Sequence, residues 1–259
     1  VTSAGNMTIA HDVTGPAGVT LSVTGNNLSL THSAGAIGGT NAAIALSADK
    51  MILSGGSIGS AAADTVTIVP YNGGKTVVLG SATDAAANSL ELSTGEVGTI
   101  TGLLIIGDGT NTSAVNVTAG ISFPVGADPV HLITAGTVSG AGRVTVTAGS
   151  LAVEAANAVT LLTAADTIAV SATTGAVSVS DNNAGALDIN TVDGVDGIVT
   201  AGTVSDSISI VKTNGILTIT RPLDAGLADI DIDTDNNLSQ GGAGTIACAG
   251  LEITGTGSS

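Results

Sequence analysis

The chain contains 259 residues and carries a formal net charge of −16, from 21 acidic and 5 basic residues. Nucleic acids and anionic membranes bind proteins through clustered Lys and Arg, so this charge argues against both kinds of partner. Hydrophobic residues make up 43% of the chain, yet aromatic residues make up 1% and Trp is absent. We therefore expect a thin core of Val, Ile, Leu and Ala. No apolar run approaches the ~18 residues that a membrane-spanning helix needs, so we expect no membrane insertion.

Residues 60–122 contain several predicted strands in close succession. Thr65–Pro70 (TVTIVP) and Thr76–Gly80 (TVVLG) are rich in β-branched residues and favour strands. Ser89–Asp108 (SLELSTGEVGTITGLLIIGD) follows, and Val115–Ile121 leads into the next segment. The key positions of this region, in chain order, are Leu90, Leu92, Glu96, Ile100, Leu104, Ile106 and Gly107.

This order of residues resembles the repeat region of filamentous-haemagglutinin-like large exoproteins and adhesins. In that family a strand that ends near proline precedes a short V-x-L-G strand. A segment with the pattern L-x-L, then E, then I, then L-x-I-G comes next. The resemblance implies a right-handed parallel β-helix that is secreted from a bacterium and either stays at the cell surface or is released.

Residues 130–180 contain six short predicted strands separated by turn-forming residues. Each strand is an apolar–small–apolar pattern that places Val, Ile and Leu on one face and Thr, Ser and Ala on the other. Repetition of one small unit along the chain is the signature of a solenoid. The six strands are Val130–Ile133, Val144–Val146, Leu151–Val153, Val159–Leu161, Ile168–Val170 and Val177–Val179.

A sequence echo predicts the length of the repeat. Ala135–Ser139 (AGTVS) recurs 66 residues later as Ala201–Ser205, and each copy precedes a predicted strand. Three coils of roughly 22 residues account for this offset, within the range typical of β-solenoids. Composition is nearly uniform along the chain, which indicates one continuous domain over residues 1–259. We therefore predict an all-β fold, a single right-handed parallel β-helix (β-solenoid) of about 11–12 coils of roughly 22 residues.

Residues 229–235 (DIDIDTD) contain the densest acidic stretch. Strict alternation predicts a strand that carries its aspartates on the outer face, where like charges repel. A bound cation would relieve this repulsion, and calcium prefers oxygen ligands. Ca²⁺ is thus the one candidate cofactor, and its predicted ligands are Asp229, Asp231, Asp233 and Asp235. Asp193 and Asp196 form a second candidate cluster, and a solvated acidic face is the alternative for both.

The remaining residue types give little support for catalysis. His11, His32 and His131 lack a metal-binding spacing, and we expect them at solvated or turn positions. No carboxylate pair is grouped with either arginine, and the G-x-S-x-G motif is absent. We therefore predict that the protein is not an enzyme. Cys248 is the only cysteine, and we expect it to act as a small buried hydrophobe, with an intermolecular disulfide as the alternative.

These observations favour a structural function. Strand-like pattern reaches Val1–Ile9 and Leu251–Thr254 without a charged or helical cap, and uncapped solenoid edges pair with other strands. The terminal coils are therefore expected either to continue into a longer chain or to stack head-to-tail on identical subunits. We predict a segment or subunit of a secreted extracellular bacterial fibre or stalk that self-associates head-to-tail into filaments. The first alternative is an adhesin rod that binds a glycan or a cell-surface receptor, with residues 123–129 as the local candidate. The remote alternative is a polysaccharide-active β-helix enzyme.

Overall fold

The computed structural model describes residues 1–255, which form 33 strands and one short helix. The strands before the helix are β1 (Thr2–Ser3), β2 (Met7–Ile9), β3 (Val13–Thr14), β4 (Val19–Val23), β5 (Ser29–His32), β6 (Ala36–Gly38), β7 (Ala43–Ser47), β8 (Lys50–Ile52), β9 (Ser57–Ile58), β10 (Thr65–Val69), β11 (Lys75–Leu79) and β12 (Ser89–Leu92). The helix is α1 (Thr94–Val97).

The strands that follow the helix are β13 (Leu103–Asp108), β14 (Thr112–Val117), β15 (Ile121–Phe123), β16 (Val130–Thr134), β17 (Val138–Ser139), β18 (Arg143–Val146), β19 (Ser150–Ala155), β20 (Val159–Ala164), β21 (Thr167–Ala172), β22 (Val177–Asp181), β23 (Leu187–Ile189), β24 (Thr191–Val192), β25 (Val195–Asp196), β26 (Ile198–Val199), β27 (Ile208–Lys212), β28 (Leu217–Ile219), β29 (Leu223–Asp224), β30 (Asp229–Thr234), β31 (Leu238–Gln240), β32 (Ile246–Ala247) and β33 (Gly250–Thr254).

Two long parallel sheets organise these strands. The major sheet has fourteen strands, and its main path runs β1-β4-β7-β10-β13-β16-β19-β21-β23-β28-β31. The minor sheet has eleven strands, with a main path of β12-β11-β14-β17-β20-β22-β27-β30-β33. Strands that are neighbours in the two main paths thus follow one another in chain order, apart from β12. The all-β prediction is confirmed, and the parallel order is compatible with a β-solenoid.

The core is a stack of aliphatic side chains that runs through the major sheet. Successive strands place one large apolar residue on each rung, and the first nine rungs are 0% exposed. Full burial of a Leu, Ile or Val side chain contributes roughly 1.5–3 kcal/mol. The rungs are Leu21, Leu46, Ile68, Ile106, Leu132, Val153, Val170, Ile198, Leu223 and Ile246.

The steps between rungs are unequal. The shortest, from Val153 to Val170, takes 17 residues, and the longest, from Ile68 to Ile106, takes 38. The long step contains a loop, β12 and α1, which the chain inserts before it reaches β13. The echo at Ala135–Ser139 and Ala201–Ser205 does not mark equivalent places in the fold. Val138 is fully buried in β17, whereas Val204 lies in a loop and is 82% exposed.

The strands predicted over residues 130–180 are confirmed. They correspond to β16 and to β18 through β22, each observed strand being slightly longer than its prediction. Most inward positions of these strands are Val, Ile and Leu, as the alternation indicates, but β20 also places Thr163 inward and β22 places Asp181 inward. A second ladder, in the minor sheet, runs from Val144 through Thr163 and Asp181 to Lys212. Its three steps are 19, 18 and 31 residues long.

The residues singled out in Ser89–Asp108 have clear structural roles. The apolar ones are 0–1% exposed in the core: Leu90, Leu92, Ile100, Leu104 and Ile106. Glu96 forms a capping box with Ser93, since the Glu96 carboxylate accepts the Ser93 N–H at 2.9 Å and the Ser93 hydroxyl accepts the Glu96 N–H. Gly107 has a φ of +86°, and a Cβ there would clash with the carbonyl oxygen of Ile133 on the next strand.

Candidate functional site

The carboxy-terminal edge of the minor sheet exposes apolar side chains of a kind that the fold buries elsewhere. On β33, Leu251 pairs with Ile230 and Ile253 pairs with Ile232. Ile230 and Ile232 are 1% and 0% exposed, whereas Leu251 and Ile253 are 48% and 50% exposed. Within residues 1–255, β33 pairs with β30 alone, so along the described residues one of its two edges has no neighbouring strand. Such an edge is a template for pairing with another strand.

The amino-terminal edge also carries strands with one neighbour each. In the described part of the chain β1 pairs with β4, β2 with β5 and β3 with β6. Met7 on β2 is 8% exposed, so its side chain is nearly covered, while Val1 is 77% exposed. The two edges therefore both offer parallel-strand backbone, and the carboxy-terminal edge adds the larger apolar surface.

The predicted calcium ligands lie beside this edge. Asp229, Asp231 and Asp233 occupy the exposed side of β30, and Asp231 is paired with Glu252 on β33. Asp235 follows the strand and donates its main-chain N–H to the carbonyl of Lys212. Within residues 1–255 no group of three or more His, Cys, Asp or Glu side chains is arranged to hold a metal ion. Calcium binding by this row remains a prediction.

A buried ion pair joins segments from the amino-terminal third of the chain. Lys75 Nζ lies 3.2 Å from Asp49 Oδ2, and the two side chains are 6% and 0% exposed. The ammonium also donates to the Asn27 side-chain oxygen at 3.0 Å and to the Ala87 carbonyl at 2.6 Å. Burial would raise the pKa of Asp49, but hydrogen bonds from the N–H groups of Asn27 and Asn72 and from the Lys75 ammonium hold it below its usual value.

A second buried ion pair lies in the carboxy-terminal half. Lys212 on β27 is paired in register with Asp181 on β22, and Nζ lies 2.9 Å from Oδ1 with both side chains 0% exposed. Nζ also donates to the Asn183 carbonyl at 2.5 Å. The sequence analysis singled out neither Lys75 nor Lys212, although the sequence contains a signal for Lys212. In VSVSD and ISIVK the inward alternation ends on the charged residue, which predicts that Asp181 and Lys212 face each other inside.

A small antiparallel hairpin, β24–β25, covers part of the outer face of the major sheet. Val192 and Val195 are each 4% exposed and pack with Ala152 and Ala169. The turn of the hairpin carries Asp193, one of the two residues of the second predicted acidic cluster. This insertion lengthens the ladder step from β21 to β26, and nothing in the period of the strands predicts it.

The hairpin turn holds a buried histidine. Asp193 Oδ2 lies 2.7 Å from His131 Nδ1, and His131 is 4% exposed. His131 Nε2 has no hydrogen-bond partner and lies 4.0 Å from Glu154 Oε1. Glu154 also lines an open groove of about 400 Å³. Its lining residues are Gly109, Ile133, Thr134, Ala135, Glu154, Ala155, Ala156, Ser171 and Thr173.

Several other residues singled out in the sequence are placed by the structure. The expectation of solvated histidines is wrong for His131 and for His32, which is 0% exposed. Burial lowers the pKa of His32, and its contact with the Gly35 carbonyl only partly opposes that effect. Phe123 is 1% exposed and packs in the core, so it offers no surface for a ligand. Cys248 is half-buried and packs against the core, close to its expected role.

No family model, no curated protein and no solved structure matches this chain. The resemblance to large exoproteins therefore stands on the residues of the chain alone. Over residues 1–255 the structure contains no helix long and apolar enough to span a membrane.

Proposed function

We propose that this chain is a structural segment of a secreted bacterial fibre or stalk. In this proposal it forms a single right-handed parallel β-helix of about 11–12 coils, which stacks end to end on further copies. The observation that supports this most strongly is the half-exposed pair Leu251 and Ile253, which continues an otherwise buried apolar ladder.

Stacking satisfies two kinds of group at once. A strand laid against β33 would cover the two apolar side chains and would pair the free backbone edge, as β33 itself does for β30. The opposite edge, with β1, β2 and β3, supplies strands of the same parallel type. Because the two edges differ, the contact is head-to-tail and does not close, and such contacts produce filaments.

Two further observations support a location outside the cell. The residues of Ser89–Asp108 resemble those of large secreted exoproteins, and the apolar positions that carry the resemblance are buried in the core: Leu90, Leu92, Ile100, Leu104 and Ile106. The chain has only five basic residues, of which Lys75 and Lys212 are 5% and 0% exposed. Proteases that cut after basic residues thus find few accessible sites in the folded chain.

Sedimentation velocity over a concentration series tests the stacking proposal. We expect wild-type chain to form species of increasing size, and the double variant Leu251→Lys/Ile253→Lys to remain monomeric because the charges would be buried at the contact. The control is Val204→Lys, which adds a charge at an exposed loop residue away from the edge and should associate like wild type. A wild-type chain that stays monomeric at every concentration would refute the proposal, as would equal association of the edge variant.

A second candidate function is that of an adhesin rod, favoured by the inserted hairpin and by the groove that Glu154 lines. The hairpin interrupts the regular coils, and the groove adjoins the His131–Glu154 pair on an outer face of the sheet. A glycan array compares wild type with Asp193→Ala, which removes the hairpin's contact to His131. Binding that is lost in the variant supports this function, and absence of any glycan binding by wild type counts against it.

A further inference from the structure

The loop of residues 81–88, here called the clasp loop, covers the buried Lys75–Asp49 pair. It leaves β11 and returns the chain to β12, which lies alongside β11 in the minor sheet. Its Ala87 carbonyl accepts a hydrogen bond from Lys75 Nζ at 2.6 Å. The clasp loop therefore contributes directly to satisfying the buried ammonium, and its opening would admit water to the ion pair.

Glu91 on β12 holds the other parts of the clasp loop. Its Oε1 accepts the hydroxyls of Ser81 at 2.5 Å and Thr83 at 3.0 Å, and its Oε2 accepts the Ala86 N–H at 3.0 Å. Glu91 is 6% exposed. Burial would raise the pKa of Glu91, but these hydrogen bonds lower it below its usual value, so the carboxylate is charged under the loop.

Asp84 is the one member of the clasp loop that opposes this arrangement. Its φ is +49°, a left-handed conformation that is uncommon outside glycine. Its Oδ1 is buried and has no hydrogen-bond partner. The charged groups that face it are Glu91 of β12 and Glu96 of α1, with Lys50 of β8 as the only cation. An ionised Asp84 would thus place a third carboxylate near two others.

We propose that the clasp loop is a proton-controlled cover for the Lys75–Asp49 pair, closed when Asp84 is neutral and opened more often when Asp84 is ionised. Protonation removes a charge from a buried, unpartnered oxygen and removes its repulsion by Glu91 and Glu96. The cover would then lie tight at mildly acidic pH and loosen toward neutral pH.

The sign of the effect follows from the titration of Asp84. Burial is the largest cause of the raised pKa of Asp84, and the charges of Glu96 and Glu91 come next. Together they raise this pKa from 3.8 to about 6, against the opposing charge of Lys50. An acid whose pKa is raised in the closed state favours that state at low pH and loses this contribution as pH rises through about 6. Between about pH 5 and about pH 7.5 the opening constant would rise by at most about ten-fold, and by less where solvent screens the charges.

Amide hydrogen exchange at these two pH values tests the proposal, with rates corrected for the pH dependence of free peptide. The reporter is the Ala86 amide, which bonds to Glu91, and the reference is the Val77 amide in β11. The variant is Asp84→Asn, which keeps the size and the tolerance for a left-handed backbone while removing the charge. The control is Asp235→Asn, the same change at an exposed aspartate far along the chain.

We expect Ala86 protection in wild type and in the control to fall several-fold from about pH 5 to about pH 7.5, while Val77 is unchanged. In Asp84→Asn, protection should stay high at both pH values. The proposal is overturned if wild-type Ala86 protection is the same at both pH values, or if the variant retains the wild-type pH dependence. A fall that Val77 shares would also overturn it, since the whole fold rather than the clasp loop would then be responding.

Discussion

Strands β30 and β33 have the same inward alternation and opposite environments. Ile230 and Ile232 on β30 lie between two neighbouring strands and are 1% and 0% exposed. Leu251 and Ile253 on β33 occupy the same ladder one step later and are about half exposed. In this fold, therefore, a strand does not bury its own apolar face. The neighbouring strand of the parallel sheet helps to bury it, and a strand edge without a neighbour favours pairing with another strand.

The same contrast holds for charged side chains. Lys212 and Asp181 form an ion pair between two interior strands and are 0% exposed, whereas Arg221 and Asp196 form a 3.4 Å pair with side chains 41% and 51% exposed. Inside the fold the neighbouring strands exclude water, so each buried charge depends on its partner. At the surface water replaces a lost partner at little cost.

The largest effect is expected from breaking the interior ion pair. Lys212→Ala leaves Asp181 buried without its ammonium and should lower the free energy of unfolding by about 3–5 kcal/mol. Arg221→Ala, its surface counterpart, should change it by less than about 1 kcal/mol. Urea unfolding followed by circular dichroism measures both. Similar losses from the two variants would show that the stack does not isolate its interior charges.

The apolar ladder should show the same difference between interior and edge. Ile232→Ala removes a fully buried side chain and should cost about 2–5 kcal/mol. Ile253→Ala at the edge, measured at a concentration where the chain is monomeric, should cost less than about 1 kcal/mol because half of that side chain is already exposed. Equal costs would contradict the assignment of β33 as an open edge.

The buried carboxylate of Asp64 should make the free energy of unfolding depend on pH. Its carboxylate is 1% exposed and accepts main-chain N–H groups of Ala42, Ser60 and Ala61 at 2.6–3.0 Å. Burial would raise its pKa, but these hydrogen bonds lower it, so its stabilising contribution is present at neutral pH and is lost as pH falls through its native pKa. Asp64→Asn should cost about 1–3 kcal/mol at neutral pH and flatten the acid side of the stability profile.

The control for Asp64 is Asp229→Asn, because Asp229 lies on the exposed side of β30. Its stability profile at acid pH should follow that of wild type. A profile of Asp64→Asn that falls with pH as steeply as the wild-type profile would contradict the role given to the buried carboxylate.

The smallest effect is expected at the acidic row beside the edge. Asp231→Asn removes a like-charge contact with Glu252 on the next strand and should stabilise the calcium-free chain by about 0.5 kcal/mol. If the row binds calcium, as predicted, added calcium raises the thermal midpoint of wild type more than that of the variant. Identical responses of the two proteins to calcium would rule out the row as the site.

Local pattern predicted much of this fold because each strand of a parallel stack repeats one simple environment. The alternation over residues 130–180 located six strands, and the inward aliphatic positions were predicted with them. The spacing of successive strands was harder to predict from the sequence. The insertion before β13 and the hairpin β24–β25 break the period, and both depend on tertiary contacts.

Some of the polar sites could also be predicted from local pattern, whereas others depend on distant parts of the chain. The outward placement of Asp229, Asp231 and Asp233 follows from alternation within one strand. The Lys75–Asp49 pair could not be predicted from one strand, because its hydrogen-bond partners Asn27 and Ala87 come from distant parts of the chain. His131 likewise is buried by a hairpin about sixty residues further along the chain, which composition and spacing do not reveal.

Electron microscopy of negatively stained protein tests the central claim most directly. Concentrated wild-type chain should form thin filaments of uniform width, and Leu251→Lys/Ile253→Lys should yield only short single rods. Short rods from wild type at every concentration, or filaments that persist unchanged in the edge variant, would contradict end-to-end stacking through β33.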